Sequence, residues 1–242
     1  MNISKLNEMI YKRKSVRKYK SDSLEYGDLE KIMTAIGELK PLYRDINVKI
    51  EIVQRSEVRS FMAWLPERAI VIYSEERDGY LENVGFMLAQ LDLWLQSEGF
   101  GSCWVGIARM KNISEKINSD GMKYVIMLSV GYPNTAYRNG AEDYRRVSID
   151  EISDNGDMRL EPARLAPSSV NTQPWYFVHG EGVIHVYQKL LARTAGFRRM
   201  NRIDVGIALA HMYVANPETF EFLKLDNAPE IKSCDYVGSI RI

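Results

Sequence analysis

Residues 83–91 read NVGFMLAQL, and residues 204–212 read DVGIALAHM. Both fit N/D-V-G-x-x-L-A-x-Φ, where Φ is apolar, and they lie 121 positions apart, half of the 242-residue chain. Each follows a predicted strand and is largely apolar, which is typical of a buried helix. The repeat predicts two copies of one α+β unit, residues 1–150 and 151–242, packed through these helices into one intertwined globular unit. Two unrelated helices with ordinary small packing residues are the alternative.

Apolar spacing around these helices predicts the other elements. Apolar residues recur on one face of ISKLNEMIYKR and of LEKIMTAIGEL, which predicts helices over 3–13 and 29–39. A long apolar helix is expected over 81–99, where glycine stops it, and another from about Arg202. Residues 102–107 are either a short buried strand or a turn. Strands are predicted at 48–53, 69–74, 123–131, 175–178 and 183–188.

The composition argues against several classes of function. Lysine plus arginine and aspartate plus glutamate each number 32, so the net charge of zero gives no reason to expect a nucleic acid or an anionic membrane as partner. No apolar run approaches the ~20 residues that span a bilayer, and the N-terminus has the pattern of an amphipathic helix rather than a signal peptide. Cys103 and Cys234 lack metal-ligand spacing, so we expect a reduced cytoplasmic protein without a metal.

A basic segment follows the first helix, where residues 13–17 read RKSVR. If the segment is extended, Arg13 and Ser15 share a side, and a guanidinium fork with a neutral hydroxyl suits a phosphate. Arg145 and Arg146, which follow a Gly-Tyr-Pro turn, are further candidates for the same anion. Each basic stretch taken alone is more often a solvated surface.

A polar loop precedes the strand at 175–178, where residues 166–175 read APSSVNTQPW. Two prolines restrain it, and its hydroxyls and carboxamides both donate and accept, which suits a flavin, a base or sugar-like hydroxyls. A self-capped surface turn explains the same composition. The loop occurs only in the second copy and RKSVR only in the first, so a site built from both can form only once.

A glycine-rich stretch ends the long helix, where residues 99–107 read GFGSCWVGI. Its glycines allow the backbone to approach a flat ligand, or they serve helix termination and tight packing. No pattern for a protein nucleophile accompanies it. Cys103 has no recognisable histidine partner, and His185 and His211 fit structural positions. Ser-His-Asp, Walker, zinc and G-x-G-x-x-G patterns do not occur.

Together these segments resemble the nitroreductase family of FMN-dependent oxidoreductases. The family pattern R-R/K-S-x-R-x-Y/F is matched by RKSVRKY, and A-P-S-S-x-N-x-Q-P-W is matched by APSSVNTQPW. The pattern G-L-G-S-C-W-I-G is matched by GFGSCWVGI. A strand that ends in GYP, with a basic segment after it, is matched by GYP and the later RRVSIDEI. The order differs, since family members usually carry the serine-rich loop in the same copy as the arginines and form an intertwined homodimer. The resemblance therefore implies an α+β nitroreductase-like fold with two pseudo-symmetric halves fused in one chain, as a monomeric pseudo-dimer or a weak homodimer.

The resemblance also implies the parts of a site. Arg13, Ser15 and Arg146 would hold the FMN phosphate. Arg17 would lie near the N1–C2 carbonyl edge of the flavin, and the amides of residues 106–107 would approach N5 and O4. No metal and no catalytic side chain is implied, because the flavin carries the chemistry. The implied cofactor-binding residues are Arg13, Lys14, Ser15, Arg17, Gly106, Ile107, Arg145 and Arg146 in the first half and Pro167, Ser168, Ser169 and Asn171 in the second.

The activity that the resemblance implies is a ping-pong cycle in one pocket. NAD(P)H would pass a hydride to FMN, and a small-molecule acceptor such as a nitroaromatic, a quinone or a similar flat compound would then take the electrons. Two alternatives stay open. The protein could bind flavin or another ligand without NAD(P)H turnover, or it could be a relative that modifies the flavin itself.

Overall fold

The computed structural model of the protein describes residues 1–111, 121–191 and 194–242. Each segment predicted from apolar spacing contains a helix or strand, but two short helices and four strands were not predicted, among them the strand at 234–241. The helices are α1 (Ile3–Lys12), α2 (Tyr26–Gly37), α3 (Tyr80–Ser97), α4 (Ile149–Ile152), α5 (Glu161–Leu165) and α6 (Ala195–Ala215). The strands are β1 (Val48–Gln54), β2 (Val58–Arg59), β3 (Arg68–Ser74), β4 (Gly101–Val105), β5 (Arg109–Met110), β6 (Lys123–Gly131), β7 (Trp175–Gly180), β8 (Val183–Lys189), β9 (Glu221–Leu223) and β10 (Cys234–Arg241).

The first large sheet has the order β1-β3-β6-β4 and is antiparallel throughout. Its central strands β3 and β6 carry apolar residues at nearly every position, because both faces of the sheet are covered. Ile70 pairs with Leu128 and belongs to the core that the sheet shares with the helices. Val71 and Met127, one residue along each strand, pack with Trp64 on the opposite face.

The second large sheet has the order β7-β8-β10-β9 and is also antiparallel. Phe177 on β7 pairs with Val186 on β8, and both belong to the same core as the first sheet's inner face. A bulge between Tyr236 and Gly238 shifts the register of β10 against β8. A separate short pair, β2 with β5, lies outside the two large sheets.

Helices α3 and α6 cross at the centre of the molecule, and both are buried along most of their length. A Cβ built on Gly85 would lie 2.1 Å from the carbonyl oxygen of Ile203, and one on Gly206 would lie 2.1 Å from the carbonyl oxygen of Glu82. Only glycine allows two helix backbones to approach so closely. This explains why the V-G pair occurs in both apolar helices.

The segment after α1 is extended and lies beside β4. The amide of Val16 donates to the carbonyl oxygen of Ser102 at 2.9 Å, and the amide of Lys20 donates to Tyr132 at 2.9 Å. Val16 is completely buried, whereas Arg17 next to it is exposed. Arg13 is buried as well, and Lys14 and Ser15 are half-buried, so burial does not alternate strictly along RKSVR.

Two boundaries are now fixed. Helix α6 begins at Ala195 rather than at about Arg202, and the Thr194 hydroxyl caps it by accepting from the amide of Phe197 at 3.4 Å. Its first turns, AGFRRM, have too little apolar periodicity to be recognised as helical. Residues 102–107 contain a strand, since β4 ends at Val105 and a turn follows. No helix in the described ranges has the length and apolarity needed to cross a membrane.

Candidate functional site

A cavity of about 810 Å³ lies between the first sheet, the N-terminal half of α6 and the loop before β7. Pockets that bind small molecules and cofactors commonly have volumes of about 300–1,000 Å³. Seven of the twelve predicted cofactor-binding residues line this cavity, namely Ser15, Arg17, Gly106, Ile107, Pro167, Ser168 and Ser169. The other five are Arg13, Lys14, Arg145, Arg146 and Asn171, which do not belong to its wall.

Arg13 is buried beside the cavity rather than inside it, with 1% of its surface exposed. Its Nε donates to Asp92 Oδ2 at 3.1 Å, and its Nη2 contacts the Ser15 hydroxyl at 3.4 Å. Asp92 also accepts from Trp104 Nε1 at 3.3 Å and from the Ser102 hydroxyl. The carboxylate therefore ties the RKSVR segment to α3 and β4, and it offsets part of the Arg13 charge.

The side chains of Lys14 and Arg17, the next two cations after Arg13, point to different surroundings. Lys14 donates from its amide to Gln96 Oε1 at 2.8 Å and from Nζ to the Thr135 hydroxyl at 3.0 Å, and so its ammonium group is used in a protein contact. Arg17 lines the cavity, with its guanidinium carbon 5.9 Å from the centroid of the Trp64 ring. Of these two residues, Arg17 is the one that can meet a ligand in the cavity.

A cluster of three arginines surrounds Tyr144. The guanidinium carbons of Arg138 and Arg146 lie 4.2 Å and 5.3 Å from the centroid of its ring. The Tyr144 hydroxyl donates to the carbonyl oxygen of Arg13 at 2.9 Å, and Arg138 Nη1 donates to the same oxygen. Burial, and then the positive charge of Arg13, lowers the pKa of Arg146 to about 10. Such crowded, partly desolvated guanidiniums favour an anion among them.

Arg145 and Arg146 have opposite environments. Arg146 donates from Nη1 to Asn171 Oδ1 at 2.6 Å and from Nη2 to the carbonyl oxygen of Leu165 at 3.1 Å. Its Nε is buried and has no hydrogen-bond partner among the described residues. The side chain of Arg145 is exposed, and its carbonyl oxygen accepts from Asn171 Nδ2 at 2.9 Å. Arg146 therefore keeps one buried donor that the described residues leave unsatisfied.

The serine-rich loop is held in a strained conformation. Val170, Asn171 and Gln173 have φ angles of 46°, 61° and 48°, in the left-handed region that non-glycine residues, and β-branched ones above all, rarely adopt. The Ser168 hydroxyl accepts from the amide of Gln173 at 2.9 Å, and Gln173 Oε1 accepts from the amide of Val147 at 3.0 Å. The loop is thus both self-capped and part of the cavity wall.

The turn after β4 approaches α6 closely. A Cβ built on Gly106 would lie 2.0 Å from Met200 Cε, so this backbone faces a flexible apolar side chain of α6. Ile107 is 64% exposed and lines the cavity, and Val170 and Phe197 are exposed apolar residues of the same wall. The cavity therefore offers apolar surface for a flat ligand as well as polar groups.

Sequence reasoning missed several residues that belong to the cavity or its surroundings. Asp204 lines it, and burial raises the pKa of this carboxyl to about 8. The sequence did mark Asp204, as the first residue of the D-V-G repeat, but only as a sign of helix packing. Arg138 gave no signal, because its contact with Tyr144 arises from tertiary folding. The missed cations of the wall are Arg109, Lys123 and Arg199.

Candidate nucleophiles and bases do not converge on one another. Cys103 lines the cavity, and burial raises the pKa of its thiol, which disfavours the reactive thiolate. His185 Nδ1 lies 2.9 Å from the Ser239 hydroxyl, and His211 Nδ1 lies 3.1 Å from the carbonyl oxygen of Pro162. Burial lowers the pKa of both histidines. Each histidine has one hydrogen-bond partner within the fold, and the buried Nε2 of His211 has none among the described residues.

Solved structures are similar to this chain over 60–99% of its length. A crystal structure described as that of a "putative nitroreductase" from Thermotoga maritima is 22% identical, with a TM-score of 0.66 over 99% of this chain and 93% of that chain. A nitroreductase family protein from Clostridium difficile 630 is 19% identical over 63% of this chain and 96% of its own, with a TM-score of 0.46. An FMN-dependent nitroreductase from Clostridium difficile R20291 is 22% identical over 60% and 96%, with a TM-score of 0.42. No curated protein matches the chain.

The similarity to the Thermotoga structure establishes a mixed helix and strand fold of the nitroreductase kind, which confirms the predicted α+β class. A family model described as "Putative TM nitroreductase" matches residues 5–216, most of the chain. The chain therefore belongs to this nitroreductase family and to the nitroreductase-like oxidoreductases. The family resemblance expected from the sequence motifs is confirmed.

Proposed function

We propose that the protein is an FMN-dependent enzyme that takes electrons from NAD(P)H and reduces a flat acceptor such as a nitroaromatic or a quinone. One observation carries the proposal. The cavity joins Ser15 and Arg17 to Pro167, Ser168 and Ser169, although more than half of the chain separates the two segments. These are the segments whose motifs resemble the family's cofactor-binding segments.

The residues around the cavity fit a ligand with one phosphate and one flat ring. For the phosphate, the family resemblance assigns Arg13 and Arg146, which lie beside the cavity and would have to turn their buried guanidinium groups towards it. The Ser15 hydroxyl contacts Arg13 and also lines the cavity, so it connects Arg13 with the ring pocket. For the ring, the apolar wall and the hydroxyls of the loop provide stacking and hydrogen bonds.

Each part would have its own task. Arg13 and Arg146 would hold the phosphate, and Arg17 would stand by the pyrimidine edge, where a cation stabilises the negative charge of a reduced ring. The loop would contribute Pro167, Ser168 and Ser169, and Asn171 would act through Arg146. Lys14 and Arg145 have no place in this arrangement beyond supporting the backbone. Bound FMN would supply the two-electron chemistry, accepting a hydride equivalent and passing it on.

The cavity wall also suits the proposed acceptors. Ile107, Val170 and Phe197 offer exposed apolar surface against which an aromatic ring can stack. Arg109 and Arg199 lie on the same wall and can attract the phosphates of a nicotinamide cofactor. A small aromatic compound rather than a macromolecule is therefore the proposed substrate.

We further propose that the two halves are related by duplication, with one flavin site per chain. The helix crossing is reciprocal, because Gly85 meets Ile203 while Gly206 meets Glu82, and each pair maps onto the other by a shift of 121 positions. A crossing of two equivalent helices about a two-fold axis has this property. The reciprocity supports two related halves more strongly than the sequence repeat does alone.

Aromatic side chains pack beside Asn83, the residue that lies 121 positions before Asp204. Tyr43, whose amide donates to Asn83, packs edge-on against Phe222 with ring centroids 5.4 Å apart. A Cβ built on Gly79 would lie 2.5 Å from the Tyr43 ring. Aromatic side chains thus occupy the space beside Asn83, which supports a single cofactor per chain. With one site formed inside each chain, a monomer would be sufficient for function. The free thiols of Cys103 and Cys234 agree with a reducing, cytoplasmic location.

Anaerobic absorbance spectroscopy tests the proposed activity. The protein is loaded with FMN, NADH or NADPH is added, and a quinone follows. We expect the reduced nicotinamide to bleach the flavin bands and the quinone to restore them. If dithionite bleaches the bound flavin but neither nicotinamide does, the protein binds flavin without turnover and the enzymatic proposal fails. Loss of the flavin spectrum after reduction in oxygen would instead indicate an enzyme that modifies its flavin.

A further inference from the structure

Asp204 occupies an unusual position for a carboxyl group. It is 4% exposed on α6, it lines the cavity, and both of its carboxyl oxygens lie 3.1 Å from the amide nitrogen of Ser169. In the described parts of the chain, no cation pairs with it and no second hydrogen bond reaches it. One amide donor is too little to stabilise a buried carboxylate, so the environment favours the protonated acid.

The other half of the chain shows what an uncharged side chain does in the corresponding position. Asn83, 121 positions earlier on α3, accepts at Oδ1 from the amides of Leu42 and Tyr43 at 2.8 Å and 3.0 Å. Asp204 makes the same kind of contact with the amide of Ser169. A carboxamide is therefore sufficient to anchor a loop to this helix. The two residues differ in their surroundings, because Asp204 lines the cavity and Asn83 does not.

The surroundings favour the neutral form of the acid near pH 7. Burial raises the pKa of Asp204 to about 8, and the hydrogen bond from Ser169 opposes this only in part. A protonated carboxyl has one O–H, which can donate to a ligand in the cavity that Asp204 lines. On the neighbouring helix α3, Glu82 is paired with Arg202. The other charged or titratable groups that line the cavity are Arg17, Cys103, Arg109, Lys123, Tyr124 and Arg199.

We propose that Asp204 is a catalytic residue that donates its proton to an oxygen atom of the electron acceptor bound in the cavity. This inference rests on the proposed function and names quinones and related aryl carbonyl compounds as the acceptor class. Reduction of a quinone to a hydroquinone takes a hydride equivalent and one proton. The reduced cofactor supplies the first, the Asp204 O–H bond breaks to supply the second to the quinone oxygen, and water reprotonates the carboxylate.

Asp204→Asn is the variant that separates this role from loop anchoring, because Asn83 shows that an asparagine can hold the loop. In stopped-flow experiments we expect the variant to bind FMN and to be reduced by NAD(P)H at the wild-type rate. Its reoxidation by a quinone should fall by about 100-fold or more, as for loss of a general acid. The wild-type reoxidation rate should decline above about pH 8, where Asp204 loses its proton, and this decline should be missing in the variant.

Infrared spectroscopy of the protein without FMN provides a readout that does not depend on activity. The difference between the wild-type and Asp204→Asn spectra should contain the carbonyl band of a protonated carboxyl at neutral pH and lose it above about pH 8. The subtraction removes any band of Glu82, whose pKa burial also raises. No such band at neutral pH would overturn the proposal, even if flavin turnover is observed. A variant that binds FMN weakly and is slowed equally in both half-reactions would also overturn it, since Asp204 would then only anchor the loop. Failure to bind FMN in the wild type would refute the proposed function and with it the proton step, whatever the infrared band shows.

Discussion

Adjacent arginines differ in what they can bind. Arg146 has a buried Nε without a partner in the described ranges of the chain, whereas the Arg145 side chain is exposed. Since a hydrogen bond to a charged group contributes about 1.5–3 kcal/mol, we expect Arg146→Ala to weaken FMN binding by about 10- to 100-fold. Arg145→Ala is the matched control and should change the affinity little. Quenching of flavin fluorescence during titration measures both, and equal losses would contradict the proposed phosphate site.

His179 connects β7 to the preceding turn through two carboxylates. Its Nδ1 lies 2.7 Å from Asp154 Oδ1 and its Nε2 lies 2.8 Å from Asp157 Oδ2, so both ring nitrogens can donate only when the imidazole is protonated. Burial lowers the pKa of His179, but the hydrogen bonds to Asp154 and Asp157 outweigh it and raise the pKa above the usual 6.5.

This raised pKa determines the sign of a pH effect. The stabilisation from protonated His179 is fully present below about pH 6.5, the pKa of an unfolded histidine, and is lost as the pH rises through the higher folded-state pKa. His179→Gln should therefore destabilise the protein by about 1 kcal/mol or less at acidic pH and by less at alkaline pH. Urea unfolding at a series of pH values measures the difference. A difference that grows with pH would show that the ion pair does not form.

At the scale of elements, the crossing of α3 and α6 is the contact least able to adapt. A Cβ on residue 206 would lie 2.1 Å from a backbone carbonyl oxygen of α3, so the helices would have to separate. We expect Gly206→Ala to destabilise the protein by about 1–3 kcal/mol or more. Gly27→Ala in α2, where nothing lies within 4 Å of the added Cβ, should be neutral or stabilise by up to about 1 kcal/mol. Urea denaturation compares the two, and equal midpoints would contradict the close crossing.

Some helices and strands could be predicted from the sequence and others could not. Helices α1 and α3 and strands β1, β3 and β6 follow from apolar spacing, because burial on one or both faces dictates that spacing. The start of α6 does not, since polar first turns carry no such period. The loop before β7 was recognisable by its serines and prolines, but its left-handed backbone at Val170 was not.

The candidate site was predictable to a similar extent. Ser15 and Ser168 line the cavity. Both belong to short motifs that can be recognised from neighbouring residues alone. Arg138 and the protonation of Asp204 depend on which segments meet, and on how much water is excluded there. Neither the meeting of distant segments nor the exclusion of water can be predicted from neighbouring residues alone. Lys14 shows the reverse, since a basic residue within a motif turned out to contact Thr135 rather than the cavity.

At the scale of the whole molecule, segments that are far apart in the sequence share one cavity. Arg17 comes from the start of the chain and Asn171 from the second half, and each supports a different side of the same proposed site. In the first half, Tyr43 packs edge-on against Phe222 beside Asn83, the counterpart of Asp204 in the repeat. The central claim is therefore a single composite flavin site per chain.

The stoichiometry of flavin binding tests this claim most directly. Apo-protein is titrated with FMN, and the same titration is repeated for Arg17→Ala, for Asn171→Ala and for the double variant. We predict one FMN per chain in the wild type and weakened binding of that same FMN in both single variants. Two flavins per chain, with each substitution abolishing a different one, would contradict the composite site.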